Sequence, residues 1–194
     1  MMSKLLWLPI DIPKFPYPDM EITTETTWIF WSFGKITESR ESPYDVSVIK
    51  KEILTKYPLL EEWFRNFPYK TIRNIKFNIQ KSAVFPHIDF TKPEANPQLF
   101  ANNSENEPCG YRVLIRGSRT KMMYVVDNGE KVYVDIPEDT DVYVLRHSEG
   151  WHGVDDEEGR TTIFTHFEVD PEENKLLIDR SLDKYKDYAI WSKD

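Results

Sequence analysis

The middle of the chain alternates short apolar runs with polar turns, and helical spacing occurs on either side of it. Ile72, Ile75, Phe77 and Ile79 lie in a strand-like run, followed by VFPHIDF at 84–90. YRVLIRG (111–117), DVYVLRH (141–147) and RTTIFTHFEV (160–169) each predict a strand, because β-branched and aromatic residues cluster there between turn formers. KMMYVVDNGEKVYVDI (121–136) predicts a hairpin, since two β-rich runs flank Asp127-Asn128-Gly129. SEGWHGVDDEEG (148–159) predicts a loop between two strands. Residues 91–109 are polar and aperiodic, which predicts a long loop of the kind that forms lids and binding surfaces.

Upstream, residues 1–27 are proline-rich and predict an irregular extended arm wrapping the domain. WIFWSFGKI (28–36) predicts a buried strand. Ser42 at a cap, Pro43 after it and Asp45 in the first turn predict a helix start, with Val46, Ile49, Ile53 and Tyr57 at helical spacing. Pro58 restarts a second helix whose Leu60, Trp63, Phe64 and Phe67 share a core-facing stripe. From Pro171 the tail is helical, with Ile178, Leu182, Tyr185 and Ala189 on one face. The pattern is one domain over 1–194. It has an arm and supporting helices to residue 70, a mainly β core at 71–170, and a C-terminal helix at 171–194. About seven strands flanked by helices suit a barrel or a sandwich. Alternating βα units are absent, which excludes a doubly wound sheet.

Composition narrows the function classes. The 194 residues are 40% hydrophobic and 14% aromatic, enough for a sizeable core. Acidic residues number 33 against 25 basic ones, so the net charge of −8 disfavours a nucleic-acid partner. The one cysteine, Cys109, excludes a disulfide framework and reads as a reduced thiol with no special role. No stretch is long and apolar enough for a membrane span, and Asp11 and four prolines break the N-terminal run as a signal peptide. A cytoplasmic protein is expected. Neither GxGxxG nor a P-loop occurs.

Four histidines carry the candidate chemistry. His87 and Asp89 are two apart in a strand-like run, so both side chains point to one face. His152 follows 65 residues later. Two imidazoles and one carboxylate on one face leave coordination positions open, the facial-triad arrangement of non-haem Fe(II) oxygenases. Arg160 lies eight residues beyond His152 at a strand start, and Thr162 shares its face. A guanidinium and a hydroxyl together suit a carboxylate. Arg112 is a second candidate, since an arginine entering a core-like strand needs an anionic partner. His147 and His166 read as core histidines, and Trp151 as packing behind His152. Asp155, Asp156, Glu157 and Glu158 read as a solvated turn, and Arg116, Arg119 and Lys121 as a basic surface patch.

VFPHIDF, YRVLIRG and HGVDDEEGRTTIFTHFEV together resemble the 2-oxoglutarate- and Fe(II)-dependent dioxygenases, in particular the aspartyl/asparaginyl β-hydroxylase-like branch. The resemblance spans about residues 72–169. It implies a double-stranded β-helix (jelly-roll, cupin-like) fold. It implies that His87, Asp89 and His152 hold iron, with Arg160 and Thr162 on the co-substrate carboxylate and Arg112 assisting. The implied activity is hydroxylation of an amino acid, free or within a peptide (Asp, Asn or Pro type). Dioxygen is consumed, and 2-oxoglutarate is decarboxylated to succinate. Where the family carries Arg-x-His on its middle strand, this chain has Arg112-Val113-Leu114, and its His152–Arg160 spacing is shorter than the usual one. A cupin-type metal barrel with a non-oxygenase role and a non-catalytic interaction domain are the competing readings. The Arg160 carboxylate clamp disfavours the first, and the complete triad disfavours the second.

Overall fold

The computed structural model describes residues 3–20, 27–28, 44–49, 55, 57–88, 108–147 and 150–192, with the backbone alone at 27–28, 44–49, 71–76 and 165–168. In chain order its elements are β1 (Leu5–Pro9), β2 (Thr27–Trp28), β3 (Tyr44–Ile49), α1 (Pro58–Phe64), β4 (Tyr69–Gln80), β5 (Val84–His87), β6 (Gly110–Arg116) and β7 (Met123–Asp127). Then come β8 (Glu130–Tyr133), β9 (Val142–Leu145), β10 (His152–Val154), β11 (Thr161–Val169), α2 (Pro171–Tyr185) and β12 (Ile190–Trp191). The protein is mainly β. A large sheet has the order β12-β1-β9-β6-β11-β4-β3-β2, and a small one the order β5-β10-β7-β8. Neighbouring strands are antiparallel, as in the β11–β4 and β10–β7 pairs.

Strands β1 and β9 of the large sheet are buried on both faces, in keeping with their near-continuous apolar runs. Val113, Val142, Val144 and Ile163 point outward into a core completed by Leu60, Trp63 and Phe64 of α1 and by Leu177 and Ile178 of α2. Leu114, Tyr143 and Leu145 alternate with them and point inward. There they meet Val84, Met123, Val125 and Val154 of the small sheet, with Trp7 beside them. The inner face of the large sheet and the facing side of the small sheet therefore enclose a second core.

Local signals account for several elements. Asn128 (φ 50°) and Gly129 (φ 82°) turn the β7–β8 hairpin, with Asp127 opposite Glu130. α1 begins at Pro58 and buries the aromatic stripe expected of it. α2 is capped by Asp170, whose carboxylate accepts the backbone N–H groups of Glu172 and Glu173. Those bonds, Glu173 N–H first, hold the Asp170 carboxyl below the usual carboxylate range, with the Lys70 ammonium adding to them.

Other elements differ from the sequence expectation. Leu5–Pro9 is not an irregular arm but a fully buried strand between β12 and β9. Its apolar residues serve both faces of the large sheet. Tyr44–Ile49 is a strand, not a helix, with Tyr44 opposite Gln80 and Val48 opposite Lys76. Tyr, Val and Ile favour the pleated state, and the long β4 edge supplies backbone partners that outweigh a Ser-Pro helix start. His152–Val154 is a strand within a segment expected to be a loop. The chain re-enters the large sheet at β12, after the expected terminal helix. The expected strand at 28–36 is described only at Trp28, and the loop expected at 91–109 lies outside the described residues except at its end. Cys109 is buried. No described helix is long and apolar enough to cross a membrane.

Candidate metal centre

The short strand β10 lies between β5 and β7, and its pairing sets His152 directly opposite His87. The ring centroids are 4.4 Å apart at an interplanar angle of 52°. Val154, two residues along β10, belongs to the inner core, so His152 faces the space between the sheets. His152 is buried, and His87 is half-buried at the end of its strand.

Both rings are held in the same way. His87 Nδ1 lies 2.8 Å from the carbonyl oxygen of Phe85, and His152 Nδ1 lies 3.0 Å from that of Gly150. A carbonyl only accepts, so Nδ1 carries the proton in each ring and the lone pair sits on Nε2. This outer support is characteristic of metal-ligating histidines, fixing tautomer and ring orientation together. Imidazole nitrogens suit Fe(II), Zn(II) and related cations. The donor set therefore fits a divalent transition metal, with His87 and His152 as two of its ligands. Asp89, the expected carboxylate, lies outside the described residues. Among the described residues no three His, Cys, Asp or Glu side chains form a metal-binding group.

Arg160 immediately precedes β11. Its backbone pairs with Gln80, which donates its N–H to the Arg160 carbonyl at 2.8 Å. The side chain is only 3% exposed. Its Nη2 donates to the Met123 sulfur at 3.9 Å, and Nε, 3.9 Å from the Glu157 carboxylate, has no hydrogen-bond partner among the described residues. A thioether is a weak acceptor, so a buried guanidinium in this setting is under-satisfied and suits an anion. The Gly117 turn closes over it: a β-carbon at that position would press on the Arg160 side chain. Met123 pairs with Val154, two places along β10 from His152.

Thr162 is buried on the same inward face, opposite Leu114 on one side and Asn78 on the other. Arg112 is opposite Phe164, and its guanidinium lies over that ring at 3.7 Å from the centroid. Phe164 is four residues from Arg160 along the chain. The two arginines thus belong to different levels of one sheet face.

The remaining candidates lie elsewhere in the fold. The His147 ring fills the space beside Gly110, where a β-carbon would collide with it. His166 lies opposite Asn74 in β11. Trp151 does not pack behind His152; it is 51% exposed, on the face of β10 turned away from the core. Arg119 is not part of a surface patch. It donates to the carbonyls of Ile136, Pro137 and Thr140 and to Asp141, whose other oxygen accepts the Phe15 N–H. Asp155 is not merely solvated: Lys131 and Tyr133 hydrogen-bond its carboxylate and hold it below the usual range. Sequence reasoning missed Gln80 and Met123, since neither residue type nor spacing marks a glutamine at a strand end or a methionine in a hairpin as part of a site. No protein-family model matches the chain, and no curated protein matches it.

Proposed function

We propose that the protein is a non-haem Fe(II)- and 2-oxoglutarate-dependent oxygenase that hydroxylates an amino acid, free or peptidyl, on a double-stranded β-helix. The fold reading rests on the path of the chain. From β4 to β11 it visits the large and small sheets in the sequence large, small, large, small, small, large, small, large. That palindromic crossing is how a jelly roll is wound.

The opposed His87 and His152, each with Nδ1 tied to the carbonyl two residues upstream, carry the functional reading. Their Nε2 atoms and the Asp89 carboxylate would hold the iron. When bound, iron would bring dioxygen together with the 2-oxo acid, so that dioxygen is the oxidant, one oxygen atom going to succinate as carbon dioxide is lost and the other to the substrate. The chain supplies binding, orientation and exclusion of water. Arg160 receives the far carboxylate of the co-substrate, with Thr162 adding a hydroxyl donor from the same face. Val84, Val125 and Val154 line the space between the sheets and keep it dry. Arg112 adds positive charge at the Phe164 level, where a second acidic group would meet it.

The test is anaerobic titration of the metal-free protein with Fe(II), then 2-oxoglutarate. A weak visible band near ~500 nm, from keto-acid chelation at an open triad, is the expected result. Iron binding without that band overturns the reading in favour of a cupin-type metal barrel. No iron binding leaves a non-catalytic interaction domain.

A further inference from the structure

Gln80 stands beside Arg160 at the end of β4 and is 1% exposed. The two residues are joined through the backbone on both sides: Gln80 N–H donates to the Arg160 carbonyl, and Gly159 N–H donates to the Gln80 carbonyl at 2.9 Å. The side-chain amide is also fixed. Nε2 donates to the carbonyls of Ser82, at 3.0 Å, and Asp155, at 2.6 Å. Two carbonyls facing the amide demand its NH2 end, so the amide has one orientation. Its Oε1 is thereby turned away from both, buried, and without a hydrogen-bond partner among the described residues. Arg160 Nε, on the neighbouring strand position, is buried and lacks a hydrogen-bond partner among the described residues, its ion-pair partner Glu157 standing 3.9 Å away. One buried acceptor and one buried donor thus belong to two residues that are paired through the backbone.

A carboxylate satisfies the arginine but offers nothing to Oε1, because it has no proton to donate. A water molecule resolves both. It donates one hydrogen to Gln80 Oε1, donates the other to the bound carboxylate, and accepts from Arg160 Nε, giving the three bonds usual for a buried water. We propose that Gln80 determines co-substrate length: its fixed carbonyl oxygen seats one water behind the carboxylate held by Arg160, and that water forms the end wall of the pocket. The inference rests on the 2-oxoglutarate reading given above. A diacid one carbon longer must expel the water and leave Oε1 bare, so the wall selects the five-carbon acid.

The experiment compares wild type with Gln80→Met, which keeps the side-chain length and removes the acceptor. Calorimetry on Mn(II)-loaded protein without dioxygen gives affinities for 2-oxoglutarate and 2-oxoadipate, and circular dichroism checks folding. Wild type is expected to prefer the shorter acid, and the variant to lose about tenfold of that preference, the scale of one well-placed hydrogen bond. A purely structural role would weaken both acids alike, so an unchanged ratio overturns the inference while leaving the oxygenase reading intact. Failure of wild type to bind either acid overturns both. Should Gln80→Met not fold, a crystal structure of wild type with 2-oxoglutarate decides. A water within hydrogen-bond distance of Oε1 and of the carboxylate supports the wall, and a carboxylate packed directly against Gln80 overturns it.

Discussion

The hydroxyl of Tyr124 occupies the space where a β-carbon on Gly153 would stand, on the outer side of β10. The Val84 carbonyl of β5 crowds the same point. Tyr124 is held there by the Tyr133 ring, at 5.8 Å between centroids, and by the Lys131 ammonium, 4.1 Å from its own centroid. Gly153→Ala therefore drives a wedge between Tyr124 and the strand that carries His152. A loss of about 1–3 kcal/mol is expected, the range for an overpacked site, together with weaker metal binding as His152 shifts against His87. Urea unfolding and a metal titration of the same variant check the two effects.

His152→Ala removes one of two facing imidazoles and is expected to abolish stoichiometric Fe(II) binding. The fold should survive, because the backbone pairing of β10 with β5 and β7 does not use the ring. Full retention of iron by equilibrium dialysis would take His152 out of the site.

Under the proposed function, stability and co-substrate binding pull in opposite directions at Arg160. Its buried guanidinium is matched to a sulfur and a distant carboxylate, which leaves much of its desolvation uncompensated. Arg160→Met is expected to melt at or above the wild-type temperature without ligand, and to lose 2-oxoglutarate binding by about tenfold or more, with metal affinity preserved. A lower melting temperature with unchanged co-substrate affinity would contradict both halves.

Arg119 organises the turn between β8 and β9. Arg119→Ala leaves three carbonyls and the Asp141 carboxylate short of donors, and Asp141 is also the anchor for the Phe15 N–H. A destabilisation of about 3 kcal/mol is expected, the scale for breaking a largely buried ion pair. Denaturant midpoints measure it.

The α2 cap gives a pH dependence with a definite sign. The folded-state carboxyl of Asp170 titrates lower than an unfolded aspartate, because backbone N–H groups hydrogen-bond its ionised form. Its contribution is therefore present above the unfolded pKa and is lost as pH falls below about 4. Asp170→Asn keeps a capping acceptor but removes that titration. Its thermal stability should fall less steeply than that of wild type between about pH 5 and pH 3.

Much of the fold was legible in the sequence where local chemistry and tertiary pairing agree. Asn128-Gly129 could hardly specify anything but a tight hairpin, and the runs of β6, β9 and β11 are apolar enough to be buried on two faces. Where the two disagree, local reading failed. Ser42-Pro43 resembles a helix start, yet Tyr44–Ile49 completes the edge of β4. Strand β10 is three residues long, too short for alternation to register, although it carries His152. The spacing of His87 and His152 marked both as candidates, and the register sets them face to face. Gln80 was invisible, because what distinguishes it is the pair of carbonyls that orient its amide, and those come from distant parts of the chain.

Strand β1 pairs on one side with β9 and on the other with β12, where Leu5 meets Trp191. During synthesis β9 emerges long after β1, and β12 later still. Leu6 and Trp7, which belong in the inner core, wait for these backbone partners meanwhile. Among the described strands, this part of the large sheet is therefore completed last. A ribosome stalled before residue 190 would display an apolar strand with one edge uncovered, a ready substrate for a chaperone.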